Sequence, residues 1–188
     1  MACPLTVSKF VGTVSLGLLT GLSYSSSAVT VPALQQLSTA STASRAAAEV
    51  KRLNRKHGFR LTNLANGCLL FAYCVSPPHR KHPYLVWMAV SASLGSYGLD
   101  YWFHGRAVGV KAWICGLVQD MGCRSLCAMS QQKKRDEDIV VVEAEENNVN
   151  GESVQRALET ERRLQGGRAV LAGLALSMGI VGLWGDRK

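Results

Sequence analysis

Four stretches of this chain carry no charge, and the charged residues crowd the spaces between them. Residues 10–44 run for 35 positions without a charge, 61–78 for 18, 83–99 for 17 and 169–185 for 17. At about 1.5 Å of rise per residue, a 17-residue helix covers roughly 25 Å, slightly less than a bilayer core of about 30 Å. Pro83 stands where a helix starts, since a first-turn residue has no backbone N–H partner to lose. Pro77 and Pro78 end the preceding run. Tyr84 and Trp87 fall at one end of the third run, and Tyr97, Tyr101 and Trp102 at the other, the placement of aromatic belts at two water–lipid boundaries. Alone, each run also reads as a buried core helix. The four together predict an all-α membrane protein of about four transmembrane helices, with a long, partly disordered loop between the third and fourth.

The predicted spans are 10–31, 61–78, 83–101 and 168–185. Between them the pattern gives a basic loop at 45–60, a candidate interfacial helix at 106–128 and an acidic disordered loop at 130–167. The second and third spans form a helical hairpin with a short basic tip. In the first span, Gly17 and Gly21 have the spacing that permits close helix contact, and helix–helix self-association is one consequence. That span has a second reading as a cleaved secretory signal, with Lys9 before it and Ser26-Ser27-Ala28 as a small-residue cleavage site.

Charge refines this pattern. The net charge is +8 and the pI about 9.4, while mean hydropathy stays near zero at +0.08. The average conceals segregation: residues 45–60 hold six basic residues against Glu49, and 136–161 hold nine acids against Arg156. Basic flanks of membrane segments account for this balance without nucleic acid. With four spans, the side bearing both termini and the hairpin tip holds five Lys and Arg, and the opposite side sixteen. The positive-inside bias therefore places the termini on the non-cytosolic side. In 106–128, Val110, Trp113, Ile114, Leu117, Val118 and Met121 recur at helical spacing, which suits a helix lying in the interface.

Candidate chemistry is sparse. The windows lack the charged groups that transporters need at membrane depth. No phosphate-binding glycine loop, nucleophile elbow or paired zinc-ligand motif occurs, so no catalytic, cofactor or metal residues are assigned. His79 and His82 lack the neighbouring carboxylates of a metal site. The six cysteines lack disulfide-framework spacing and read mostly as packed thiols, with Cys115, Cys123 and Cys127 as alternative acylation positions. Within the acidic loop, Ile139, Val140, Val141 and Val142 lie between acids. The run resembles SUMO-interacting motifs and reads either as a partner-docking strand or as an ordinary loop strand.

One corner carries a family resemblance. His82, Pro83, Tyr84 and Leu85, after a basic Pro-rich turn and before an Ala/Ser/Gly-rich apolar run, resemble the autophagy-related protein 33 family. The order of apolar N-terminal span, central hairpin, acidic loop with an Ile/Val run and C-terminal span is similar too. The resemblance implies a fungal protein of the mitochondrial outer membrane, without enzymatic activity or cofactor, that promotes selective autophagy of mitochondria. It implies as partners the lipid bilayer and the autophagy machinery. Residues 136–161 contain no aromatic residue, so direct docking to the ubiquitin-like autophagosome protein through this loop lacks its usual signal, and an indirect link is expected. The competing expectation is a membrane-shaping or lipid-contact protein that uses the interfacial helix.

Overall fold

The computed structural model describes residues 4–37, 39–76, 82–106, 109–120 and 151–185, and all regular structure among them is helical. Helix α1 spans Pro4–Ser25 and passes through a wide π turn, Ser26–Thr30, into α2, Val31–Gln35. Helix α3 spans Ala40–Val75, α4 Tyr84–Ser93, α5 Val110–Asp120 and α6 Gly151–Gly185. Beyond α4 the chain stays helical to Arg106 through two more π turns, Leu94–Gly98 and Tyr101–Gly105.

These elements form an up-down-up-down bundle of α1, α3, α4 and α6, and pairs of contacts fix the directions. Ser8 Oγ donates to the Cys68 carbonyl (2.8 Å), while Leu19 approaches Gly58, so α1 and α3 are antiparallel. Asn66 Nδ2 donates to Ser93 Oγ (2.8 Å) and Tyr97 OH to Asn63 Oδ1, which pairs α3 with α4 in the same sense. Tyr84 lies on Gly182, Met88 on Gly179 and Leu171 on Gly95, setting α4 against α6. The glycines of α6 therefore seat side chains of α4.

The bundle has two unlike halves. In the first, Leu16, Leu69, Leu85 and Met88 pack with alanines 65, 72, 89, 92 and 175 in a slender core. Its outer surface is apolar as well: Phe10, Leu18, Phe71, Trp87, Val181 and Trp184 are all more than half exposed. In the second half the same helices continue as polar rods. At about 1.5 Å per residue, residues 40–60 of α3 extend roughly 31 Å and residues 151–167 of α6 roughly 25 Å.

Several expected boundaries move. Two helices among the described residues are long and apolar enough to cross a membrane by length and composition, Leu5–Gln35 and Gly151–Gly185, rather than four. The second expected span shares one 36-residue helix with residues 45–60, so the basic segment is helix and not loop. The run of Ala46, Ala47 and Ala48 is strongly helix-forming, and Arg52 clasps Glu49 through two hydrogen bonds one turn apart. The third expected span is interrupted by its π turns. Residues 151–167, expected as disordered, begin α6. Their acids alternate with arginines at helical spacing, Glu152 with Arg156 and Glu159 with Arg163, in the favourable order for a helix. Glu152 also meets the positive end of the helix dipole. The remainder of the acidic loop, 130–150, lies outside the described residues, as do 121–128 of the expected interfacial helix and residues 77–81 of the hairpin tip.

The glycine contacts separate two outcomes. A Cβ on Gly95 would stand 3.0 Å from Leu171 Cβ, an atom held by its own backbone, while one on Gly179 would meet the free end of Met88. Gly95→Ala should cost about 1–3 kcal/mol by overpacking. Gly179→Ala should be near neutral, because Met88 can swing aside and alanine favours the helix. Thermal unfolding of the two variants in detergent checks this; equal losses would contradict the packing described.

Candidate functional site

A helix interior leaves few carbonyls free, because each already accepts an i→i+4 bond. The π turns relax that ladder. At Gly95 and Ser96 the chain turns wide, and the two carbonyls face α6, where Arg168 reaches them: Nη2 donates to the Ser96 carbonyl at 3.3 Å and Nε to the Gly95 carbonyl at 3.5 Å. Arg168 is 1% exposed, the largest fully buried side chain of the described residues. Its Nη1 donates to Gln165 Oε1 at 3.5 Å. These bonds are long, so the guanidinium also depends on surrounding charge and on the ring beneath it.

Both are present. Phe59 of α3 is 1% exposed and lies beneath two cations, with the Arg55 and Arg168 guanidinium carbons 5.5 and 5.9 Å from its ring centre. Tyr97 stacks on the same ring at 5.2 Å. Asp100, 2% exposed, accepts from Trp113 Nε1 of α5 at 2.8 Å and pairs with Arg55 Nη2 at 3.3 Å. Glu161 accepts from Gln165 Nε2 at 2.8 Å. His104 stands between the two carboxylates, with Nδ1 3.6 Å from Asp100 and Nε2 3.9 Å from Glu161. Thr62 and Ser96 share a fully buried hydroxyl pair at 2.5 Å just inside the cluster.

The result is a clamp of opposed charges, Arg55, Asp100, Glu161 and Arg168, with His104 between the two carboxylates, where the apolar half of the bundle gives way to the polar half. It draws side chains from α3, the continuation of α4, α5 and α6. Gly58 leaves room for it, since a Cβ there would approach Arg168 Nη1 to 3.1 Å. Among the described residues no group of His, Cys, Asp or Glu has the arrangement to hold a metal ion. The arrangement suits fixation of four helices and offers no nucleophile paired with a base.

The sequence-predicted residues lie at the opposite end. His82 and Pro83 are exposed, and their carbonyls accept the first backbone bonds of α4. Tyr84 rests on Gly182 beneath Lys9, whose Nζ is 5.9 Å from the ring centre, and Leu85 is 2% exposed in the core. The four thus dock the start of α4 onto α1 and α6. Ile139, Val140, Val141 and Val142 lie outside the described residues. Cys68 and Cys74 are free thiols, whereas Cys115 is disulfide-bonded and so is not the thiol that acylation requires. Sequence reasoning missed the clamp because Asp100 and Arg168 pass for ordinary span flanks. The signal was their opposite charge: in an antiparallel bundle the residue after the third uncharged run and the residue before the fourth lie close to one level, near enough to feel each other's charge.

Truncating Arg168 takes a buried cation from beside Asp100 and Glu161 and leaves the Gly95 and Ser96 carbonyls without that donor, so Arg168→Ala should lower unfolding stability by about 3–5 kcal/mol. Trp113→Phe keeps the edge contact with Tyr101 (5.3 Å) and removes only the bond to a carboxylate. It should cost about 1.5–3 kcal/mol. Denaturant titration of both variants in one detergent reads the order; a neutral Arg168→Ala would contradict the clamp.

Comparison with known proteins bears on the family the sequence resembles. The chain matches the family described as Autophagy-related protein 33 over residues 1–186. It is 31% identical over 184 residues to Autophagy-related protein 33 of Gibberella zeae, an alignment covering 95% of this chain and 89% of that protein. No solved structure matches the chain.

Proposed function

This chain belongs to the Autophagy-related protein 33 family, and from that membership we propose that it promotes the selective autophagy of mitochondria as a non-enzymatic protein of the mitochondrial outer membrane. The observation that carries the membrane part is the inverted surface of one half of the bundle. Large side chains such as Leu70, Val90, Val170 and Val181 point away from a core that is mostly alanine. In water that surface is a liability, and in lipid it is the ordinary exterior of a bundle. All four helices contribute to it, so the two helices that are individually short of a spanning signature cross as members of the bundle. Asn63 and Asn66, which weaken the hydropathy of the second, bond to Tyr97 and Ser93 of its neighbour.

The start of α1, the end of α3, the start of α4 and the end of α6 lie at the apolar end, and the clamp and polar rods at the other. The charge asymmetry supports a cytosolic position for the polar end. There the rods of α3 and α6 present a rigid scaffold to the autophagy machinery, through an intermediary rather than by direct docking of the acidic segment. Exposed apolar surface within the membrane leaves self-association open as a further contact.

One observation favours a second reading, membrane shaping. On α5, Val110 (51% exposed) and Ile114 (47%) form an uncovered apolar strip, close in sequence to the exposed Trp102 with Arg106 stacked at 4.8 Å. The two readings separate on one variant. Val110→Asp with Ile114→Asp should leave mitophagy within about twofold of wild type under the first reading and abolish bilayer deformation under the second.

Deleting the gene should suppress delivery of mitochondria to the vacuole while leaving bulk autophagy and respiration intact, measured by processing of a matrix-targeted reporter. Normal delivery would contradict the proposed role. In isolated mitochondria, tags on both termini should resist added protease; cleavage of either tag would overturn the orientation.

A further inference from the structure

We propose that the groove between α3 and α4 holds one anionic phospholipid, with an acyl chain along the groove and the phosphate at Arg60. The inference rests on the reading of the apolar half as membrane-embedded and goes beyond it by naming a ligand. The groove has a volume of about 490 Å³ and is lined by Asn66 and Leu70 of α3 and by Val86, Val90, Ser93 and Leu94 along α4. From Val86 to Gly98 it runs about 18 Å along the membrane half, the reach of an extended acyl chain. Leu70, Val90 and Leu94 are each about half exposed, so the groove opens outward to lipid.

The polar end of the groove supplies the charge. Tyr97 OH, donating to Asn63 Oδ1, joins α3 to α4 one residue from Gly98. One turn further along α3 stands Arg60, exposed and without an ion pair among the described residues, with Lys56 a turn beyond it. The neighbouring guanidinium groups are engaged in the protein: Arg55 pairs with Asp100, and Arg168 is sealed inside. Arg60 is therefore the cation left at the level where the uncharged run of α3 begins, which is the depth of a phosphate when the run below lies in hydrocarbon.

A second helix fits this groove poorly. Ala89, Ser93 and Gly98 are small, but Leu70, Val86, Val90 and Leu94 stand between them as bulky walls, and these keep a helix backbone from the close approach that small residues alone would allow. A flexible chain passes between such walls, and an apolar helix would give Arg60 no counter-charge.

The test uses the full-length protein in detergent, equilibrated with equal amounts of phosphatidylglycerol and phosphatidylcholine of the same acyl chains and read by native mass spectrometry. Wild type should retain phosphatidylglycerol over phosphatidylcholine by about fivefold, the effect expected of one basic residue at an anionic surface. Arg60→Gln should erase the preference while phosphatidylcholine is still retained, and Arg60→Lys should keep it. Val90→Trp, at an exposed groove wall, should reduce retention of both lipids. Equal retention by wild type, or a preference unchanged in Arg60→Gln, overturns the site. Displacement by millimolar inorganic phosphate would place recognition on the phosphate alone and overturn the acyl groove. Alkaline extraction of wild type from vesicles is scored in parallel: a protein that resists extraction but does not discriminate lipids fails this proposal only, and one that is extracted fails the membrane reading.

Discussion

A guanidinium taken out of water must find its compensation in the protein, and Arg168 finds it from four directions. Two carbonyls of the widened helix, the amide of Gln165, the face of Phe59 and the nearby carboxylates each supply a part. None suffices alone, since the hydrogen bonds are long. The burial therefore holds only while α3, the continuation of α4 and α6 stay in register, and Asp100 extends the dependence to α5 through Trp113. Replacing such a cluster with apolar residues is often neutral for stability. What the charged version adds is register, because a one-turn slip of α6 would carry Arg168 away from the Gly95 and Ser96 carbonyls and from Gln165's present geometry.

Register matters here because the apolar half has little else to set it. Its core is largely alanine, and the small residues allow the helices close contact but specify no unique fit. Tyr84 on Gly182 and Met88 on Gly179 fix one end, and the clamp fixes the other. Between these two fastenings the bundle presents apolar side chains outward. Beyond the clamp α3 and α6 continue without a break, so whatever binds their polar rods is held at a set height and orientation relative to the apolar half.

The apolar runs and the family were legible in the sequence because both show in local pattern: the absence of charge, and the order of parts around His82 to Leu85. Helix continuity was not. Residues 45–60 look like a loop when basic residues are only counted, yet Ala46 to Ala48 and the Glu49–Arg52 pair make them helix. Residues 151–167 were merged with an acidic segment, although Glu152, Arg156, Glu159 and Arg163 already had i,i+4 spacing. The π turns were invisible, since no residue type marks them, and the one at Leu94–Gly98 acts through a tertiary contact, its carbonyls accepting from Arg168. The second expected span reads as a weaker membrane segment for a related reason: Asn63 and Asn66 count against α3 on a hydropathy scale, while in the fold their amides bond to α4.

The proposed membrane bundle requires all four helices to enter the bilayer together, and α3 and α4, which lack a spanning signature of their own, are its critical members. Spin labels on single cysteines, in a cysteine-free background reconstituted in vesicles, report this through collision with oxygen, which concentrates in lipid, and with a water-soluble nickel chelate. Labels at Leu70 on α3 and Val90 on α4 should collide with oxygen and be shielded from nickel, as should one at Val181 on α6, while labels at Lys51 and Gln155 should show the reverse. Nickel access at Leu70 and Val90 equal to that at Lys51 would contradict a four-helix membrane bundle.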